Sequence, residues 1–263
     1  MSNTLVIQSY RTESVPEWIA NCLDSVRAWA ALQAYEYRFI GDEILDYVPP
    51  WYRDRAGGRM PVITDLGRLI ATRKALTDGA GTVVWIDADV VVFGPDDLRA
   101  DIDDDHAFAR EIWVQPGGNG LKVYRNVHNA YCIFRHGNPI LDFYIHACLS
   151  VMQRVDGGVP NQIVGTKLLT AMHNLIGFPL IENVGMISPL VLRDLLADGG
   201  PALELLAAES PGSLKAANLC GSLVGSNSDG VDIDDSMMMD AVDRLRTNGE
   251  IFFGKLNTGG RSR

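Results

Sequence analysis

Basic residues are scarce in this chain. There are 23 Lys and Arg against 33 Asp and Glu, a formal net charge of −10. Binding to a nucleic-acid backbone rests on clustered Lys and Arg, so the balance argues against that partner. It leaves room for a small anionic ligand, which a metal ion and a few Arg can neutralise locally. The glycine-rich phosphate motifs are also missing. With neither a Gly-x-Gly-x-x-Gly turn nor a phosphate loop ending in Lys-Ser/Thr, a dinucleotide or P-loop site has little support. No apolar run approaches the length of a membrane span. Residues 1–9 have neither a basic start nor a long apolar core, so no signal peptide is expected. The four cysteines, Cys22, Cys132, Cys148 and Cys220, are scattered through apolar patterns. They read as buried free thiols rather than a thiolate metal cluster, which suits a reducing compartment. A cytoplasmic location is expected, with peripheral attachment to a membrane left open.

What is present organises itself around residues 82–93, Thr-Val-Val-Trp-Ile-Asp-Ala-Asp-Val-Val-Val-Phe. The first five are β-branched or aromatic and suit a central strand. Two acids, Asp87 and Asp89, then interrupt the apolar run. Burying them unpaired would be costly, so they belong at the strand's C-terminal edge, facing a cleft. In an extended segment residues i and i+2 point the same way, so both carboxylates share one target while Ala88 points elsewhere and leaves room. A divalent cation is the natural target, because hard cations take oxygen ligands and retain water or phosphate ligands as well. The bland alternative is that two acids after a strand simply begin a solvated loop.

The 263 residues suffice for one large α/β domain or two small ones, and no repeat or linker marks a second. Leu5-Val6-Ile7 reads as a first strand ending at Gln8-Ser9-Tyr10-Arg11. A helix follows, with Ser14-x-x-Glu17 as a capping box and Ile19, Cys22, Leu23, Val26 and Ala30 as its stripe. A second strand over 35–40 completes the opening of a nucleotide-binding α/β fold, whose ligands sit beyond the strand ends. Residues 48–60 read as a loop, and Thr64 as the cap of a helix over 65–76 with Asp65 and Arg68 in its first turn. An acid there is an ordinary capping-region residue, whereas a cation prefers the opposite end. Further on, 115–120 reads as a flexible loop, 130–134 as a strand, 160–176 as containing a helix, and 181–187 as a late strand. Residues 240–245 read as a last short helix, and 221–263 as a mobile loop with a C-terminal tail, frayed from 259.

Asp65-Leu66-Gly67-Arg68, a helix, the apolar strand and Asp87-Ala88-Asp89 together resemble the core of DXD-containing glycosyltransferases. The likeness is to the capsular-polysaccharide and yeast mannosyltransferase-related family with a sugar-binding region. Its pattern is an Asp-Leu-x-Arg helix ahead of an apolar Asp-x-Asp strand end, and here Asp65 and Asp87 stand 22 residues apart. The stretch 129–134 with Gly137-Asn138-Pro139, and Gly165-Thr166 through Thr170, are similar to later parts of the pattern, although Thr166 replaces the usual Pro. The resemblance implies an α/β fold of the single-domain GT-A type, a mixed twisted sheet flanked by helices, spanning residues 1–263. It implies a metal-dependent, retaining transfer of sugar from a nucleoside diphosphate sugar, UDP or GDP type, to a hydroxyl acceptor. That acceptor, whether glycan, lipid-linked or small molecule, is not identified by the sequence. By the same resemblance Asp89 is the principal ligand of Mn²⁺ or Mg²⁺, and Asp87 contacts the donor or the metal. Asp65 and Arg68 orient the donor sugar or its diphosphate, and Gln8, Ser9, Tyr10, Arg11 and Ala88 line the donor. The third metal ligand is open among Asn218, Asn227 and Asp229, with Asn218 named first, because no His follows His173. Two alternatives stand beside this reading: a sugar nucleotidyltransferase, and a non-catalytic relative that binds a nucleotide or carbohydrate.

Overall fold

The computed structural model describes residues 3–155 and 157–256. In chain order it holds β1 (Thr4–Ser9), α1 (Glu17–Leu32), β2 (Glu36–Ile40), a 3₁₀ turn (Asp42–Tyr47), α2 (Pro50–Ala56), α3 (Met60–Thr77), β3 (Thr82–Ile86) and β4 (Val90–Val92). Then come β5 (His106–Gly117), β6 (Gly120–Arg135), α4 (Ile140–Arg154), α5 (Thr166–Ile176), β7 (Leu180–Ile181), β8 (Val184–Met186), α6 (Pro189–Leu196) and α7 (Pro201–Glu209). The last part comprises β9 (Ala216–Asn218), a second 3₁₀ turn (Gly221–Leu223), β10 (Ser226–Ser228), β11 (Val231–Ile233) and α8 (Asp235–Leu256).

Six strands form a mixed sheet in the order β2-β1-β3-β6-β5-β7. β1 runs parallel to both β2 and β3, while β6 is antiparallel to β3 and β5. The period-2 pattern of the central strands sorts side chains to two faces. Leu5, Ile7, Val83 and Trp85 pack with α3 and α4, whereas Val6, Val84 and Ile86 pack with Val26 and Trp29 of α1. A second, three-stranded sheet, β4-β9-β8, joins the segment just after β3 to the late part of the chain. A third apolar cluster gathers α6, α7 and α8 around Ile112 and Val114 of β5.

Several sequence expectations change here. α3 begins at Met60, not after Thr64, because Pro61 suits a helix's first turn, where its missing N–H costs nothing. Asp65 and Arg68 therefore lie one and two turns further in, and the hydroxyl of Thr64 donates back to the Met60 carbonyl at 3.0 Å rather than capping. The glycines at 117, 118 and 120 are not a flexible loop. They close a long hairpin whose register runs from Gly117↔Gly120 back to His106↔Phe134, with a bulge between Phe108 and Ala109. Residues 181–187 split between two sheets, Leu180–Ile181 beside β5 and Val184–Met186 beside β9. Instead of a loop and tail, 221–256 form a turn, a hairpin and a 22-residue helix; the frayed end expected from 259 lies outside the described residues. Among the described residues no helix is long and apolar enough to cross a membrane.

Trp29 measures how far the sheet depends on α1. It is fully buried, its Nε1 donates to the Leu98 carbonyl at 2.9 Å, and it meets Tyr35 edge-on at 5.5 Å. Trp29→Ala is expected to lower unfolding free energy by about 3–5 kcal/mol, read as a shifted denaturant midpoint.

Candidate functional site

A cleft of about 670 Å³ opens above the C-terminal ends of β1 and β3. This is where an open α/β sheet binds ligands. Ser9, Tyr10 and Arg11 line one side, and Asp65, Arg68, Asp87, Ala88 and Asp89 line the middle.

Arg68 is the hub. It is 6% exposed, and its Nη2 lies 3.2 Å from Asp65 Oδ1 while its Nη1 lies 2.9 Å from Asp87 Oδ1. Nη1 also donates to the Asn129 carbonyl at 2.9 Å, and Nε to the Thr64 carbonyl at 3.3 Å. The guanidinium lies 5.5 Å from the centre of the Trp85 ring. A planar fork of donors is what such a many-sided contact requires. Asn129 Nδ2 donates to Asp65 Oδ1 at 2.8 Å, and Trp85 Nε1 donates to Asp87 Oδ1 at 2.7 Å. Burial raises the Asp65 carboxyl, with Arg68 and Asn129 pulling it back. For Arg68 burial acts downward, but Asp87 and Asp65 outweigh it and its ionisation is pushed further up.

Asp89 is held differently. The backbone turns directly after β3, with Val90 N donating to the Asp87 carbonyl at 3.2 Å. The two carboxylates therefore converge on one cleft through a turn, not through extended i, i+2 geometry. Asp89 Oδ1 accepts from Asn218 Nδ2 at 2.6 Å, and Oδ2 from the backbone N–H of Gly221 at 2.7 Å. Pairing of β4 with β9 sets this up, since Val90 stands opposite Asn218. Burial, followed by the charge of Asp87, raises the Asp89 carboxyl to about 6.

Most of the expected residues line this cleft, Gln8 and the alternative ligands Asn227 and Asp229 excepted. Gln8 is fully buried and does not line the cleft. Its Nε2 donates to the Asp87 carbonyl at 3.2 Å and its Oε1 accepts from Tyr37 at 3.1 Å, so it braces the strand end from beneath. Asn218 reaches the cleft, but Asn227 does not; its amide pairs with Asp232 on the small hairpin. Sequence reading missed Asn129 and Gly221, and it singled out Glu111 in no role at all. It also gave no reason for Gly165, where an added Cβ would lie 2.7 Å from Asp65 Oδ2. Only the spacing Gly165-Thr166 pointed there.

Among the described residues no group of three His, Cys, Asp or Glu is arranged to hold a metal. Asn218 Oδ1 already accepts from Cys220 N at 2.7 Å. What the site does hold is surplus charge: Asp65, Asp87 and Asp89 face the one guanidinium of Arg68. Carboxylates and an amide are hard oxygen donors, and carboxylate oxygens that accept one hydrogen bond keep a second lone pair. The residues fit a divalent cation in charge and ligand class, without forming a ready-made cage.

The chain aligns with the crystal structure of a glycosyltransferase involved in the glycosylation of the major capsid of PBCV-1. The TM-score is 0.51 at 9% identity, over 92% of this chain and 98% of that one. The likeness is one of fold. The architecture is mixed α/β, loosely resembling GT-A-type glycosyltransferases, and the relationship is distant. Mouse xyloside xylosyltransferase 1, in its apo form, aligns at a TM-score of 0.44 and 9% identity, over 84% of this chain and 98% of that one. A197 from STIV aligns at 0.27 and 12% identity, over 65% and 78%. No family model matches the sequence, and no curated protein does.

Two outcomes follow from the charge network. Arg68→Met leaves Asp65 and Asp87 without their cation and is expected to destabilise the fold by about 3–5 kcal/mol in urea unfolding. The raised Asp89 carboxyl favours the ligand-free fold most when protonated, below the ordinary carboxylate range. Its contribution is lost as pH climbs through about 6. Asp89→Asn keeps an acceptor oxygen but not the charge. Its melting temperature is therefore expected to fall less than the wild type's as pH rises from about 4 to about 7.

Proposed function

We propose that this chain is a metal-dependent glycosyltransferase, moving a sugar from a nucleoside diphosphate sugar of UDP or GDP type to a hydroxyl acceptor with retention. The observation that carries the reading is the joint presence in one cleft of Asp87 and Asp89, at the end of β3, and of Arg68 paired to Asp65 and Asp87. The fold likeness supports it. Residues 1–263 are read as a single catalytic domain of the GT-A type.

In this reading Asp87, Asp89 and Asn218 hold Mn²⁺ or Mg²⁺. Such an ion, when bound, neutralises the diphosphate and stabilises the leaving nucleotide. Ser9, Tyr10 and Arg11 border the nucleoside, and Ala88 leaves space for the donor between the two acids. Gln8 keeps the Asp87 backbone in register beneath them. Arg68, locked by two carboxylates and two carbonyls, aims a fixed positive charge at the centre of the cleft, where negative charge develops as the bond to the diphosphate breaks. Asp65 fixes the guanidinium and turns toward the donor sugar. Retention fits a front-face substitution in which the departing phosphate accepts the acceptor's proton.

The test is thermal unfolding against a panel of nucleoside diphosphates, with and without Mn²⁺, in wild type and Asp89→Asn. Ligand at about a hundred times its dissociation constant is expected to stabilise the fold by about 2.7 kcal/mol, for one base and in the presence of Mn²⁺. Asp89→Asn is expected to lose the metal-dependent part. No shift with any nucleotide at millimolar concentration sinks the reading and favours a non-catalytic relative.

A further inference from the structure

The cleft extends beyond the acids to a part of the sheet that the donor, as proposed above, does not use. Glu111 and Trp113 of β5 both line it, and they sit two residues apart on one face of the strand. The intervening Ile112, with Val114, packs instead against α6 and α7 on the other face. Across the hairpin, Glu111 stands opposite Asn126 and Trp113 opposite Tyr124. Directly opposed residues share a face, so the four side chains form one strip. At its outer end Lys122 Nζ lies 4.3 Å from the centre of the Tyr124 ring.

Glu111 is the unusual member. It is only 5% exposed, yet among the described residues no Lys or Arg pairs with it. Its one hydrogen bond comes from Asn126 Nδ2, to Oε1, at 2.6 Å. A buried carboxylate with a single amide donor has acceptor capacity left over, and burying it unsatisfied is costly. Burial raises its carboxyl, with the Asn126 amide acting the other way. Beside it Trp113 is half-buried, with part of its indole turned to the cleft. The sheet order matters too. β1, which borders the proposed nucleoside, and β3, which carries the acids, are followed by β6 and then β5. Crossing the sheet therefore leads from the nucleoside end, past the acids, to Glu111 and Trp113.

We propose that this strip of the β5–β6 hairpin is the acceptor subsite and that its occupant is a saccharide. The inference rests on the glycosyltransferase reading for the acceptor's role, but not for the binding itself. A sugar ring offers an apolar C–H face and hydroxyl edges. The first stacks on the Trp113 indole and the second donates to the free lone pairs of the Glu111 carboxylate. A lipid tail would want a continuous apolar wall, and here Glu111 and Asn126 interrupt the aromatics. Tyr124, directly across from Trp113 on β6, widens the aromatic platform for the ring. Glu111 and Trp113 act as acceptor-positioning residues, and no proton transfer is assigned to them.

Intrinsic fluorescence tests this directly. Trp18, Trp29 and Trp85 are buried, so Trp113 and Trp51 are the indoles open to a quencher. The probes are glucose, galactose, mannose, xylose, their methyl glycosides and simple disaccharides at millimolar concentration, read in wild type, Trp113→Phe, Trp113→Ala and Glu111→Gln. Glu111→Gln retains an acceptor for the Asn126 amide, so the fold is expected to stand. At least one saccharide is expected to change wild-type fluorescence, with the signal lost in Trp113→Phe, and calorimetry is expected to show binding about tenfold weaker or worse in Trp113→Ala and Glu111→Gln. With a turned-over donor, the same two variants are expected to raise the acceptor KM while leaving the nucleotide-induced thermal shift intact. A protein that binds nucleotide but no saccharide overturns the subsite alone, as does saccharide binding that is unchanged in Trp113→Ala and Glu111→Gln. Saccharide binding at Trp113 without any nucleotide binding overturns the catalytic reading and leaves the subsite standing.

Discussion

One buried guanidinium holds the centre of this molecule together. Arg68 joins α3 to β3 through Asp87, to its own helix through Asp65, and to β6 through the Asn129 carbonyl. Each of those acids would be intolerable where it sits without a cation, and a buried cation would be intolerable without them. The arrangement ties together three elements that also share one apolar cluster. A buried ion network of this kind is weak evidence of net stability, since a well-packed apolar replacement is often as stable. Its value is geometric: charges are held in place before any ligand arrives, which is the condition for electrostatic stabilisation without reorganisation.

Asp89 follows a second logic. It has no cation, and its partners are an amide and a backbone N–H. Three carboxylates against one guanidinium leave two formal negative charges over, the surplus that the proposed divalent cation would neutralise. Asp87 belongs to both halves, as the shared neighbour of Arg68 and of Asp89.

Much of this was legible in the residues themselves. The apolar run of 82–86 ending in two acids announced a central strand with a cleft at its edge, since acids are costly to bury unpaired. The period of α1 and the strand ends at Ser9 and Ile40 were likewise readable from pattern. Where the reading went astray, composition misled. Proline and glycine in 48–60 and 115–120 suggested loops, but Pro50 opens the short helix α2, Met60 already begins α3, and the later glycines close a hairpin. Other site residues were invisible for a different reason. Gly221 acts through its backbone N–H and Asn129 partly through its carbonyl, groups that residue type does not reveal. Glu111 matters only because of what fails to approach it, a fact that exists in three dimensions alone.

Partners of Asp89 lie very far along the chain: Asn218 is separated from it by 129 residues and Gly221 by 132. The strand that carries the acid is thus made in the first third of synthesis, while the groups that hold it emerge only near the end. Loop closure over such a span is slow, and long-range pairings assemble after local ones. A chain that stops before residue 218 lacks both the amide and the backbone N–H that hold Asp89. Completion of the second, three-stranded sheet, through the pairing of β4 with β9, is what brings Asn218 to Asp89.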